Sequence, residues 1–213
     1  MSAAERLIAA GRRLVDAGLS PGSSGNISLR VGDRVLISGT GASLGTLTTA
    51  DIAEVALDGT ALGGARASKE TPLHLGFYRR DAAHEAIVHV HSPQASAWSC
   101  VEPWADHSAV PPLTPYFVMR VGQTPLLPYR HPGAAELGDD IESLAWPARA
   151  VLLANHGSVV AGSSLDDAID RAVELEEACR IALLTEGAPR RLLAPSLVHE
   201  LAERWRSPWT PGS

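Results

Sequence analysis

Lysine is almost missing from this 213-residue chain: of its eighteen basic residues seventeen are arginine, and the one lysine is Lys69. Chemistry that captures a carbonyl as a Schiff base needs a lysine amine, so only that residue is available for it. The formal charge is −6, with 24 acidic side chains against 18 basic ones, and the arginines are dispersed. No Lys/Arg stripe exists to neutralise a run of phosphates, which argues against a nucleic-acid binder. Cysteine is scarce as well. Cys100 and Cys179 lie far apart and outside any C-x-x-C spacing, a pattern of reduced thiols and not of a disulfide or zinc clip. No apolar run approaches the length of a membrane span, and Glu5, Arg6, Arg12 and Arg13 interrupt the opening segment where a signal peptide would need an unbroken apolar core. The expectation is a cytoplasmic protein with no membrane partner.

What is present reads as one globular α/β domain over residues 1–213, with hydrophobic residues at 45% and charged residues at 20%. Leu7, Ile8, Leu14, Val15 and Leu19 recur at helical spacing, and Gly18 supplies a stop, so a helix is expected over about 3–17. ISLRV and RVLIS flank Gly32-Asp33, a hairpin signal, and AEVAL before Asp58-Gly59 reads as a further strand. ETPLHLGFYRR is helical with Pro72 in its first turn, AIVHVHS is a buried strand, and PQASAWSC is a helix begun by Pro93. Residues 101–135 hold seven of the fifteen prolines and read as irregular connections with short strands at PYFVMRV and LLPY. A helix is expected around 134–144, then the strand of AVLLANHG with VVAG pairing back on it, a long amphipathic helix over 165–186, and a shorter one at LVHELAERW. Hairpins outnumber crossovers, so the sheet should be mostly antiparallel and covered by helices.

Among the residues that could carry chemistry, His89 and His91 stand two apart in an apolar strand and so share a face. They can converge on a metal ion, or simply line a polar face of the sheet. His156 follows a second buried strand, at the kind of strand end where sites collect, though Asn155 and Gly157 beside it also suit an ordinary turn. Three neutral imidazoles with an open fourth position are the pattern of a catalytic zinc site. The other five histidines, His74, His84, His107, His131 and His199, read as bland. Glu70 is the candidate for proton traffic, although an acid near Ser68 at a helix start also favours the helix dipole. Ser68 and Lys69 at that start, and the glycine- and hydroxyl-rich loops 22–26 and 38–43, offer backbone N–H groups of the kind that cradle a phosphate.

Taken in order, GSSGNISLR, ISGTGASLG, SKE, HVHS and NHG resemble the class II aldolase/adducin family, from about Glu5 to Leu193. Within it, LTPYFVMRVGQTPLLPY and LLANHGSVVAG look most like the branch of 3-oxo-tetronate 4-phosphate decarboxylases. The resemblance implies a three-layer αβα fold with a mostly antiparallel central sheet. It further implies one Zn2+, or another divalent ion, on His89, His91 and His156, with Glu70 as resting ligand or as acid/base. Phosphate contacts from Ser23, Asn26, Thr40, Gly41 and Ser68 and a proton donor at Tyr116 also follow from it, as does a homotetramer whose neighbouring subunit supplies that tyrosine; Lys69, where family aldolases often carry a serine, is read from its place between Ser68 and Glu70 as a partner of the substrate's phosphate or carboxylate. Where the branch usually has a Tyr-Tyr pair, this chain has Tyr116 followed by Phe117. The implied reaction is metal-dependent loss of CO2 from the phosphorylated sugar acid through a zinc-stabilised enediolate, giving dihydroxyacetone phosphate. A zinc aldolase or epimerase on L-fuculose 1-phosphate or L-ribulose 5-phosphate is the alternative, and a non-catalytic adducin-type interaction module the remote one.

Overall fold

The computed structural model describes residues 1–22 and 24–210. Ser23, one of the expected phosphate contacts, lies outside the described residues. The elements in chain order are α1 (Ala3–Asp16), β1 (Asn26–Val31), β2 (Arg34–Ser38), β3 (Ile52–Ala56), β4 (Ala61–Gly64), α2 (Thr71–Arg80), β5 (Ala86–Val90), α3 (Pro93–Trp98), β6 (Leu126–Leu127), α4 (Glu136–Glu142), β7 (Ala150–Leu153), β8 (Gly157–Gly162), α5 (Leu165–Leu184) and α6 (Pro195–Trp205). The eight strands form one sheet in the order β4-β3-β2-β1-β5-β8-β7-β6. Every pairing is antiparallel except that of β6 with β7. No described helix is long and apolar enough to cross a membrane.

Alternation along the strands divides the core between the two faces of the sheet. Ile27, Leu29, Ala86, Val88 and Val90 join one apolar cluster with Leu7 and Leu14 of α1 and Leu175 and Cys179 of α5. Val35, Ile37, Ile87 and Val159 join the other with Leu73 and Phe77 of α2 and Leu137 and Ile141 of α4. The result is helix, sheet, helix, as the resemblance implies. It also puts His89, of the same parity as Ile87, on the α2 face.

Two elements differ from the sequence expectation. PYFVMRV is not a strand: Phe117–Val121 form a π-helical turn, and its buried residues Phe117, Val118 and Val121 follow helical spacing, a periodicity masked by β-favouring residue types. Strand β4 carries no apolar alternation, being exposed along its whole length with two glycines, and it exists because β3 offers it a ladder. The helices α2 and α4 approach backbone to backbone, since a Cβ on Gly76 would meet the Gly138 carbonyl oxygen at 2.5 Å and one on Gly138 would meet the Pro72 oxygen at 2.7 Å. Gly76→Ala therefore overpacks a contact with no flexible partner, and a loss of about 1–3 kcal/mol is expected, measured as a lowered urea midpoint at unchanged slope.

Candidate active site

Four side chains meet where the C-terminal end of β5, the turn before β8 and the start of α2 come together. Ligand atoms of Glu70, His89, His91 and His156 all lie within 4.8 Å of one another. His89 projects from β5, and His91 follows one residue beyond the strand's last residue, Val90. The turn between β7 and β8 delivers His156. Its preceding residue, Asn155, takes a left-handed conformation with φ of 57°, which asparagine tolerates better than most residues. The turn is tied to the end of α3 by Asn155 N–H donating to the Ser99 carbonyl at 3.0 Å and His156 N–H donating to Ser99 Oγ at 3.1 Å.

Glu70 occupies the N-cap position of α2, yet its carboxylate makes no capping hydrogen bond. Ser68, at the helix start expected from the sequence, accepts from the Glu70 N–H at 3.2 Å. Freed from the helix end, the Glu70 carboxylate turns to the imidazoles, with Oε2 3.3 Å from His89 Nε2 and Oε1 3.4 Å from His156 Nε2. The Asn26 amide donates to Oε2 at 2.8 Å. Burial opposes charge on this carboxyl, but His89, through hydrogen bonding and charge, together with Asn26 and His156, holds it well below the usual carboxylate range.

The donor set fits a divalent metal. A tetrahedral centre with bonds of about 2.0–2.1 Å separates its donor atoms by about 3.4 Å. Here the Nε2 atoms of His91 and His89 are 3.1 Å apart, and those of His156 and His91 are 2.9 Å apart. His89 Nδ1 stands 2.9 Å from the Ser158 carbonyl, a contact that keeps a proton on Nδ1 and makes Nε2 the atom that His89 would give a metal, as metal-ligating histidines do. Burial first, and then charge on His89, pushes the His91 and His156 imidazoles down to about 4. Their lone pairs are therefore available at neutral pH.

Of the described residues expected to hold phosphate, Asn26 and Ser68 bond directly to Glu70 of this cluster. Loop 38–43 is joined to residues 66–69 by Thr40 N–H donating to the Arg66 carbonyl at 2.9 Å and Lys69 N–H donating to Thr40 Oγ1 at 3.3 Å. Gly41, at φ of +75°, faces open space. The N–H groups of Lys69 and Glu70, expected to be free, are satisfied by the hydroxyls of Thr40 and Ser68. The Lys69 stem runs past Gly133, its side chain is exposed, and its charge acts on both His91 and His156.

Tyr116 is not brought to this place. It is 56% exposed and lines a cleft with Arg149, Asp167, Asp170, Arg171 and Trp205. Arg149 precedes β7 and the α5 residues follow β8, so this cleft lies toward the opposite end of the sheet from His156, about 20 Å away at strand rise over the six residues of β8. Phe117 is buried against Trp209. A second phenol there would sit in the core.

Sequence reasoning passed over His74. It is fully buried and contacts Asn26 and Ser28. The available signal was spacing: His74 follows Glu70 by four residues, and Asn26 and Ser28 share a strand face.

The family model for the class II aldolase and adducin N-terminal domain matches residues 5–183. The 3-oxo-tetronate 4-phosphate decarboxylase of Haemophilus influenzae is 39% identical over 201 residues, covering 94% of this chain and 96% of the relative. Among solved structures, YgbL from Klebsiella pneumoniae superposes with a TM-score of 0.88 at 39% identity, over 92% of this chain and 96% of the other. An L-fuculose 1-phosphate aldolase superposes at 0.82 with 26% identity, over 97% and 98%.

Proposed function

Because this chain belongs to the class II aldolase and adducin family, we propose that it is a carbon–carbon lyase that decarboxylates a 3-oxo-tetronate 4-phosphate to dihydroxyacetone phosphate and CO2. The observation that carries this reading is the convergence of three imidazoles and an ionised carboxylate beside loops suited to a phosphate. His89, His91 and His156 would hold a divalent cation, with zinc the favoured ion, whose Lewis acidity toward the keto and hydroxyl oxygens supplies charge stabilisation on the order of several kcal/mol.

The chain's own residues do the rest. Asn26, Thr40, Gly41, Ser68 and Lys69, with Ser23 three residues before Asn26 in sequence, orient the phosphorylated end. The bond between the carboxylate carbon and the hydroxyl-bearing carbon breaks, its electrons pass to that carbon and the adjoining carbonyl, and a proton must then be delivered to the same carbon. Glu70, held ionised, has no proton to give in the resting site, so Tyr116 is the preferred donor. Its position toward the far end of its own sheet fits donation into a neighbouring subunit's site. The proposal therefore extends to a homotetramer in the cytoplasm, with sites shared between subunits.

The test is direct. The enzyme with a 3-oxo-tetronate 4-phosphate alone should release CO2 and dihydroxyacetone phosphate in equal amounts, stop after chelation, and recover on adding zinc. Cleavage of L-fuculose 1-phosphate with no CO2 from the acid would favour the aldolase reading instead. Lys69→Ser is expected to raise KM about tenfold or more with kcat nearly kept, because a hydrogen bond to a charged group contributes about 1.5–3 kcal/mol; an unchanged KM would remove Lys69 from the site.

A further inference from the structure

Behind the cluster, a row of buried polar groups crosses from α2 to β1 and back. Tyr78 Oη lies 2.7 Å from Ser28 Oγ, Ser28 Oγ 2.7 Å from His74 Nδ1, His74 Nε2 2.5 Å from Asn26 Oδ1, and Asn26 Nδ2 2.8 Å from Glu70 Oε2. His74 and Ser28 have no exposed surface, and Tyr78 and Asn26 have almost none. The direction of each proton follows from the end of the row. An ionised carboxylate only accepts, so Asn26 presents Nδ2 to Glu70 and Oδ1 to His74. An amide oxygen only accepts, so His74 carries its proton on Nε2. Burial keeps this imidazole neutral, down to about pH 3, which leaves Nδ1 bare to accept from Ser28, whose oxygen in turn accepts from Tyr78. Every donor in the row points toward Glu70.

We propose that His74 is a positioning residue of the site: its Nε2–H holds the Asn26 amide in the one orientation that gives both amide protons to the active centre. One proton binds Glu70. The other has no partner among the described residues and is directed to an anionic oxygen of the substrate, a role that rests on the decarboxylase reading. A flipped amide would set oxygen against carboxylate and N–H against N–H, two repulsive pairs at once. His89 is the counterpart. It lies directly across from Asn26 in the β1–β5 ladder, and with Nδ1 against the Ser158 carbonyl it would take the opposite tautomer once a metal is bound, proton on Nδ1 and lone pair toward the cluster. Two imidazoles flanking one amide thus divide the work, one through a proton and the other through a lone pair.

Nitrogen-15 histidine spectra of the metal-loaded full-length protein read both tautomers. His74 should appear neutral with the proton on Nε2 and His89 with the proton on Nδ1; a His74 proton on Nδ1, or an imidazolium at neutral pH, overturns the proposal. His74→Gln places an amide N–H near the position of Nε2 and should retain most of the turnover and metal affinity. His74→Leu keeps the bulk without the donor, and should lose about tenfold or more in kcat and in metal affinity while still melting cooperatively. Equal behaviour of the two variants would refute the positioning role, and if neither folds the wild-type spectra decide it. Failure of the wild type to release CO2 would overturn the decarboxylase reading, and with it the substrate contact. The tautomers and the metal affinities would still decide the hold on Asn26 and Glu70.

Discussion

Glu70→Gln should lower turnover by about 10²-fold or more, within the range of a group that handles protons or charge in the transition state, while the protein stays folded and still binds inorganic phosphate. The reason lies in what the carboxylate does at once. It faces His89 and His156 through its two oxygens and accepts the Asn26 amide. Glutamine is close in shape but carries no charge, and since only its oxygen can accept from Asn26 Nδ2, an amide N–H replaces the second carboxylate oxygen at the cluster. Metal content measured beside kcat separates the two roles open to Glu70. Loss of turnover with full metal occupancy identifies a group acting on substrate; loss of both identifies a ligand. A variant with wild-type kcat would remove Glu70 from the chemistry.

Tyr116→Phe should be as damaging, again by about 10²-fold or more in kcat with KM little changed, and here the geometry supplies a sharper test. The phenol lines a cleft with Asp167, Asp170 and Arg171, toward the end of the sheet remote from His156. If it acts, it acts on another copy of the chain. Co-expression of Tyr116→Phe with Glu70→Gln then assembles some sites from an intact cluster and an intact tyrosine, so the mixture should exceed the activity of either parent. Mixed assemblies that form yet show no gain would exclude a shared site. Phe117 predicts the complementary result: its ring is buried, so Phe117→Tyr would place a hydroxyl in the core and should cost stability without adding a proton donor.

Much of the fold was legible because each element carries its own periodicity. The helix of residues 3–17, the Gly32-Asp33 hairpin and the long helix α5 all follow from patterns contained within one segment. PYFVMRV misled because its composition favours strand while its burial follows a helical turn, and a composition read without a packing partner cannot separate the two. β4 was invisible for the opposite reason, since an exposed edge with two glycines has no pattern to read and depends on the ladder that β3 provides.

The same division runs through the site. The sequence by itself determined the donor types, the pairing of His89 and His91 on one face, and the glycine-rich loops, because these are properties of neighbours along a strand or turn. Only the tertiary structure decided that Glu70 leaves its helix end to meet the histidines, that His74 orients Asn26 from behind, and that Tyr116 lies away from the cluster of its own chain. Asn26 and Glu70 are 44 residues apart, and His74 and Asn26 are 48 apart. Contacts of that range depend on strand order and register, which are set by how the whole sheet buries its two faces and not by any single segment.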